Sequence, residues 1–586
     1  MEPRRCVLVS RSVTNGEAPQ HGGEPDVEPE GVPHLDATDE DVSIGGAGLA
    51  VAAIELGRVD ELRVFRNPIV VGGGTPFLPP VTENLQRGVH IRKGTSPMTV
   101  RTVNTEAGRL SGDHTDGVAR FLGIPYAAAP AGERRFAPPG PAERWAGTRN
   151  APGYGATAPQ PSLHPAHANL APLIGPGWVT GDGDYLNLNV WTPDPGTSGL
   201  PVMVYVHGGG FMIGSGAAPA FDGTSFARDG VVLVTVNYRL GAEGFLALSG
   251  EVANTNIGLR DQIAALRWVR DNIAGFGGNP DNVTVFGESA GGTSVAFLLH
   301  SPLAAGLFRR AIVQSGHDEM ARRLELTEEL TKALAARLGT SPTTEAFRAF
   351  SASDLLHAQA ALLRNEPHPD LRDGNGVDPG HRRALFLPTT GDDVLPDPVG
   401  VPSTHSRGVD LLIGTTLEEA NLGFGADQFA AFDALDAVAE LAATYPDAEA
   451  LLERHGLHDP AVTPAHALTA AYTDLMFRSP SRRAARRHPG PTYVYEFAWR
   501  SPLHGAAHGL DVPFVFDTTQ ACRGLIGDDA PGALTQAMHQ AWLDFATHGD
   551  PGWPTYDDAR KAMRFDASAH LCEDTAPEGT GAEYLS

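Results

Sequence analysis

The 586-residue chain has only three cysteines, Cys6, Cys522 and Cys572, no apolar run of membrane length and no excess of positive charge. So few cysteines cannot staple a chain this long, and none is spaced as a paired-cysteine metal site, so neither a disulfide framework nor a bound metal is expected. No stretch approaches the roughly 18 apolar residues that a membrane span needs. The nearest, Gly45 to Leu56, is short, rich in Ala and Gly, and broken by Glu55. Lys and Arg number 44 against 70 Asp and Glu, a net charge of −26. That balance argues against a nucleic-acid partner, because a phosphate backbone needs a basic face. After Arg4 and Arg5 the apolar stretch lasts only a few residues, and Asn15, Glu17 and Gln20 stand where the core of a signal peptide would continue. The expectation is a cytoplasmic protein with no nucleic-acid and no membrane partner.

What is present is an ordinary globular mixture, 41 % hydrophobic and 19 % charged. Its 68 glycines and 47 prolines make it loop-rich, yet below the roughly 25–30 % at which low-complexity disorder leads. Two regions differ. Residues 1–97 form an extension in which 13–43 are polar, acidic and poor in large apolar groups. A short island follows at about 41–80, with a helix expected from Ala47 to Leu56 and strands at Glu61 to Phe65 and Pro68 to Val71. Turn chemistry at Gly72 to Gly74 and Pro79-Pro80 closes it. The island, Ile44-Gly45-Gly46-Ala47-Gly48-Leu49 through Val70-Val71-Gly72-Gly73-Gly74-Thr75-Pro76-Phe77, resembles the C-terminal part of the dihydrofolate-reductase-like domain of bacterial riboflavin-biosynthesis reductases. In that family the Gly-Gly turn meets a dinucleotide phosphate at a helix N-terminus. The strands that would complete the sheet and nicotinamide pocket are absent, so a remnant without reductase activity is expected. With unpaired edges, it should be poorly ordered or lean on the main domain.

From residue 98 to 586 strands and helices alternate. Val202 to Val206 and Val231 to Val236 are β-branched runs of the kind buried on both faces. Ile263, Leu266, Val269 and Ile273 recur at helical steps in a segment from Leu259 that Gly275 should end. Further strands are expected at Val283 to Phe286, Ala311 to Gln314, Leu411 to Ile413 and Thr492 to Phe497, and a helix from Ala290 to Leu299. This order predicts an α/β fold with a mostly parallel sheet covered on both sides. The stretch from Glu319 to Arg383 reads as a helical insertion over one end of it.

Two short motifs carry chemistry. Gly287-Glu288-Ser289-Ala290-Gly291 lies between a strand and a helix. A tight turn there holds a serine in strained backbone geometry, while the small neighbours let the chain pass and the hydroxyl is presented at the strand's C-terminal edge. His207-Gly208-Gly209-Gly210-Phe211 follows the strand 202–206. Three successive glycines are entropically costly, and one use that justifies them is a close approach of backbone N–H groups to a developing oxyanion. Gly209, Gly210 and Ala290 would supply three such donors. Chemistry alone leaves the general base open, because there are 22 histidines. His504-Gly505 and His508-Gly509 stand out only by their closeness.

With these motifs stand Phe121-Leu122-Gly123-Ile124-Pro125-Tyr126, Leu188-Asn189-Val190, Val236-Asn237-Tyr238-Arg239-Leu240-Gly241, Asp261-Gln262, Phe276-Gly277-Gly278-Asn279-Pro280 and Gln314-Ser315-Gly316. So many ordered blocks make residues 98–570 resemble the type-B carboxylesterase and cholinesterase family of α/β-hydrolases. The resemblance implies a doubly wound sheet, a site at the strand C-terminal ends under a helical cap, and a triad in the order nucleophile, acid, base. In Leu412-Ile413-Gly414-Thr415-Thr416-Leu417-Glu418-Glu419 the acid position falls on Glu419, although Ala420 replaces the usual glycine after it. The base block is matched by His508-Gly509-Leu510-Asp511-Val512-Pro513-Phe514, with His504 as the fallback. Glu288 and Ser315 match supporting positions. Gly183-Asp184-Tyr185-Leu186 stands where the family commonly has a disulfide cysteine.

The reaction expected is hydrolysis of a small-molecule carboxylic ester, with Ser289 attacking, His508 moving the proton and Glu419 holding the imidazole. No metal or organic cofactor is required; the sequence does not fix the oligomeric state, and a monomer is favoured. The same machinery would serve carbamates or amides, and a non-catalytic binding relative would have lost the serine or histidine. Phe211, Phe424 and Phe429 are candidates either for the gorge or for the core.

Overall fold

The computed structural model describes residues 5–8, 42–44, 61–64 and 101–574, apart from 164, 181–182, 250–254, 365–368, 382–383, 425–428 and 558. The chain divides into two compact units, Met1–Ser96 and Pro97–Ser586. In the first, Arg5–Leu8 pairs in parallel with Val42–Ile44 on one side and Glu61–Val64 on the other. The expected strand from Glu61 is there, and the apolar run after Arg4 turns out to be the central strand. The expected helix from Ala47 to Leu56, the strand at Pro68 to Val71 and the Gly72 to Gly74 turn lie outside the described residues.

The second unit is built on a 13-stranded sheet. Its strands run parallel from Lys561–Phe565 through Thr492–Phe497, Asp410–Thr416, Arg310–Gln314, Gly278–Glu288 and Leu200–Val206 to Val232–Val236. Antiparallel strands flank it, Ala569–Glu573 at one end and Asn187–Thr192, Val118–Pro125, Gly108–Thr115 and Arg101–Thr105 at the other. The β-branched runs behave as their composition requires. Every residue from Val202 to Val206 and from Val232 to Val236 is buried, because helices cover both faces.

The helix Ile257–Asn272 carries the expected apolar stripe and continues as a tighter turn, Ile273–Phe276. It ends at Gly277, not at Gly275. Gly277 adopts φ +88°, and a Cβ there would lie 2.8 Å from Thr197 Oγ1 and 2.9 Å from Asp194 O, so the left-handed cap needs glycine at that position. Two of the blocks that carry the family resemblance meet in the core: Arg239 Nε and Nη2 donate to Asp261 Oδ2 and Oδ1 at 2.8 and 2.6 Å, with both side chains buried.

The insertion after Glu319 is helical, with Leu324–Leu338, Thr344–Arg348 and Ala352–Arg364. Leu330, Leu334, Phe347 and Leu355 on them join the main core. A second helical group, Ala434–Ala442, Ala448–Arg454 and Pro464–Thr473, was not anticipated. It gathers a small core of its own around Leu441, Leu452, Leu468 and Phe429. Phe429 is therefore a core residue, not a gorge residue.

Candidate active site

Successive loops at the C-terminal edge of the parallel strands bring the candidate side chains together. His207 follows Leu200–Val206, Ser289 follows Gly278–Glu288, and Ser315 follows Arg310–Gln314. Glu419 lies just past Asp410–Thr416, and His508 lies in the loop after Thr492–Phe497. Such an edge is where open α/β sheets place their ligands. A cavity of about 670 Å³ opens there, and Ser289, Ala290, Glu288, Gly209, Gly210, Ser315, Glu419 and His508 all line it. Phe211 is on its wall as well, while the side chain of Phe424 lies outside the described residues.

The turn at Ser289 is strained, with φ 57° and ψ −124°, and the helix Ala290–Leu298 starts directly after it. Ser289 N–H donates to Gln314 O at 2.9 Å, and its own carbonyl accepts from Thr293 N–H at 2.8 Å. A Cβ on Gly291 would lie 2.0 Å from Val206 O, so the neighbouring strand admits only glycine there. The first N–H groups of a helix have no intrahelical acceptor, and among the described residues none takes Ala290 N–H, a residue that lines the cavity. Among the described residues no acceptor takes the N–H of Gly209 or Gly210 either. The loop that carries them is closed by Met212 and Ile213 N–H donating to Gly209 O, both at 3.1 Å.

His508 Nδ1 lies 2.6 Å from Glu419 Oε2. Glu419 is fully buried, and its other oxygen, Oε1, accepts from Ser315 Oγ and from Thr416 N–H, each at 2.7 Å. The carboxylate is thus held by three donors and can orient an imidazole without moving. Glu418, one residue before it, instead accepts from Ala506 N–H and Arg500. His504 lines the same cavity but makes no contact with Glu419; its Nε2 lies 3.2 Å from Asn169 Nδ2.

Three features add to the sequence reading, in which Glu288 stands only as a supporting residue. Glu288 Oε1 lies 3.1 Å from His508 Nε2, so the imidazole stands between two carboxylates. Burial pulls the His508 imidazole downward, but the charges of Glu288 and Glu419, together with the hydrogen bond His508 makes to Glu419, raise it to about 9. Burial pushes the Glu288 carboxyl up to about 8, with His508 opposing that rise. The second feature is Phe477, whose ring packs on His508 at 4.8 Å between centroids. It projects from a π turn, Asp474–Arg478, an irregularity with no periodic signature and one often found at working sites. The third is Asp511, buried below the site, which accepts from Gln314 Nε2 at 2.9 Å and Tyr495 OH at 2.8 Å.

A serine, an imidazole and a fixed carboxylate around a cavity with three free N–H groups have the parts for acyl transfer. The carboxylesterase family model matches residues 99–574. The para-nitrobenzyl esterase of Bacillus subtilis is 36 % identical over 505 residues, which cover 82 % of this chain and 98 % of that protein. The phenmedipham hydrolase of Pseudarthrobacter oxydans is 34 % identical over 81 % of this chain and 97 % of its own. Among solved structures, a carboxylesterase of Geobacillus stearothermophilus superposes with a TM-score of 0.67 at 34 % identity, covering 81 % of this chain and 98 % of that one.

Proposed function

The chain belongs to the carboxylesterase family and is a serine hydrolase of carboxylic esters, and from that premise we propose that Ser289, His508 and Glu419 are its catalytic triad. The observation that carries this reading is the 2.6 Å contact between His508 Nδ1 and Glu419 Oε2 in the cavity that Ser289 enters. Ser289 Oγ attacks the ester carbonyl carbon as His508 Nε2 takes its proton. Glu419 holds the proton on Nδ1 and stabilises the imidazolium. The N–H groups of Gly209, Gly210 and Ala290 receive the oxyanion, each worth about 3 kcal/mol of barrier. His508 then protonates the departing alkoxide, leaving an acyl-Ser289 that water hydrolyses by the reverse path.

A fluorophosphonate reagent tests the assignment directly. It should label the protein to one equivalent, and peptide mapping should find the adduct on Ser289. Labelling elsewhere, or none, would remove Ser289 from its role.

The two carboxylates at His508 set the pH response. Only the neutral imidazole accepts a proton from Ser289, so activity rises as pH climbs through the His508 pKa. Glu288 stabilises the imidazolium and keeps that limb high. Replacing it by Gln removes the charge, and the acid limb of kcat/KM should move to lower pH by roughly one to three units. A limb that stays in place, or moves upward, would show that Glu288 does not act on His508.

A cytoplasmic setting fits the scarcity of cysteine, and among the described residues no helix is long and apolar enough to cross a membrane. The supporting placements of Glu288 and Ser315 belong to this reading. A monomer suffices for this reading because one chain supplies every group named.

A further inference from the structure

Near the proposed triad, the cavity has a polar patch that the reaction leaves unused. Much of the wall is apolar, with Leu170, Leu173, Phe211, Phe221 and Met476 among its residues. His317 on that wall is already satisfied, with Nε2 bonded to Met476 O at 2.8 Å and Nδ1 accepting from Glu319 N–H at 3.2 Å. His504, Asn169 and Asn421 are different. Asn169 Nδ2 lies 3.2 Å from His504 Nε2, and Asn421 Nδ2 donates to His504 O at 3.2 Å. Among the described residues no partner takes His504 Nδ1, Asn169 Oδ1 or Asn421 Oδ1.

The backbone under His504 is clamped. Ser501 and Gly505 exchange two N–H···O bonds of 3.0 Å around it. Ala506 N–H then donates to Glu418 Oε2 at 2.8 Å while Glu418 N–H donates to Ala506 O at 2.9 Å. A Cβ on Gly505 would lie 2.4 Å from Glu418 Oε2, so the turn is tied to that carboxylate. An amide nitrogen can only donate, so Asn169 Nδ2 facing Nε2 assigns the ring proton to Nδ1. Burial also lowers the His504 pKa, which favours the neutral ring. A fixed neutral donor in an apolar cavity is the usual means by which such a site orients its ligand.

Resting on the ester-hydrolase reading above, we propose that His504, seated against Asn169 and Asn421, is a specificity-determining residue. Its Nδ1–H donates to an acceptor oxygen of the substrate away from the scissile ester. Esters with a second carbonyl, nitro or ether oxygen are therefore preferred over alkyl esters of the same shape. An alkyl substrate covers the donor and leaves it unpaired, and the lost bond appears in kcat/KM.

Two matched pairs of esters test this, because acetyl and isopropyl groups have nearly the same shape. One pair is acetylbenzyl against isopropylbenzyl acetate, which probes the alcohol side. The other is a pair of naphthyl esters whose acyl chain ends in acetyl or in isopropyl. The wild-type enzyme should favour the acetyl member of one pair by about five- to tenfold in kcat/KM. His504→Leu should bring that ratio to about one, and His504→Asn, which keeps a donor near the Nδ1 position, should retain it. Asn169→Leu, which frees the ring without altering it, should lower the ratio and serves if His504→Leu does not fold. A preference that survives His504→Leu or Asn169→Leu at wild-type size overturns the proposal. So does a wild-type enzyme that treats the members of both pairs alike. Failure of the triad reading looks different, with no fluorophosphonate adduct on Ser289.

Discussion

Ser289→Ala should lower ester turnover by about 10⁵- to 10⁶-fold and leave the fold intact. The substitution removes one oxygen, and no described hydrogen bond within the protein uses it. The backbone bonds of the elbow, Ser289 N–H to Gln314 O and Thr293 N–H to Ser289 O, remain. Alanine meets the same φ of 57° as serine does, so the strain is unchanged and thermal unfolding should shift little. The residual rate comes from the oxyanion donors and from substrate binding, which do not need the hydroxyl. Turnover of p-nitrophenyl esters beside a melting curve measures both quantities. An unchanged rate in a folded variant would end the nucleophile assignment.

Glu419→Gln should cost about 10⁴ in kcat with little change in KM. The argument lies in which oxygen does what. Oε1 accepts from Thr416 N–H, an obligate donor, and from Ser315 Oγ, each at 2.7 Å. A glutamine must therefore place its carbonyl at Oε1 and its NH₂ at the Oε2 position. That NH₂ then faces His508 Nδ1, 2.6 Å from Oε2 in the wild type. Nδ1 must become the acceptor, the ring proton moves to Nε2, and the nitrogen that should take the serine proton already carries one. The protein remains folded but holds the wrong tautomer. Steady-state kinetics decide the matter: a loss below tenfold would leave Glu419 a structural carboxylate only.

The helix Ile257–Asn272, the parallel strands and the serine elbow were all legible in the residues, because each is set by local rules. Periodicity, β-branched runs and a serine between glycines act within a few residues of themselves. The base and acid were not legible that way. Family resemblance singled out Glu419 as the acid and His508 as the base, where chemistry alone left His504 beside it in play. The helix runs past Gly275 to Gly277, and what keeps a side chain out of that cap is Asp194 and Thr197, far away in the chain. Glu288 is legible as a supporting residue, but its place beside Nε2, like Phe477 packed on the imidazole and Asp511 beneath the site, depends on elements far apart in the chain.

What the amino-acid order determined alone was the alternation of strands and helices, the strained turn that presents Ser289, and the glycines that keep backbone N–H groups uncovered. Only the tertiary structure decided which carboxylate faces which ring nitrogen, and that His317 and His504 share the cavity with His508. Local sterics and periodicity are properties of neighbouring residues. The distance between Glu419 and His508 depends on how two strands register and how their loops close, and no short stretch of chain contains that information.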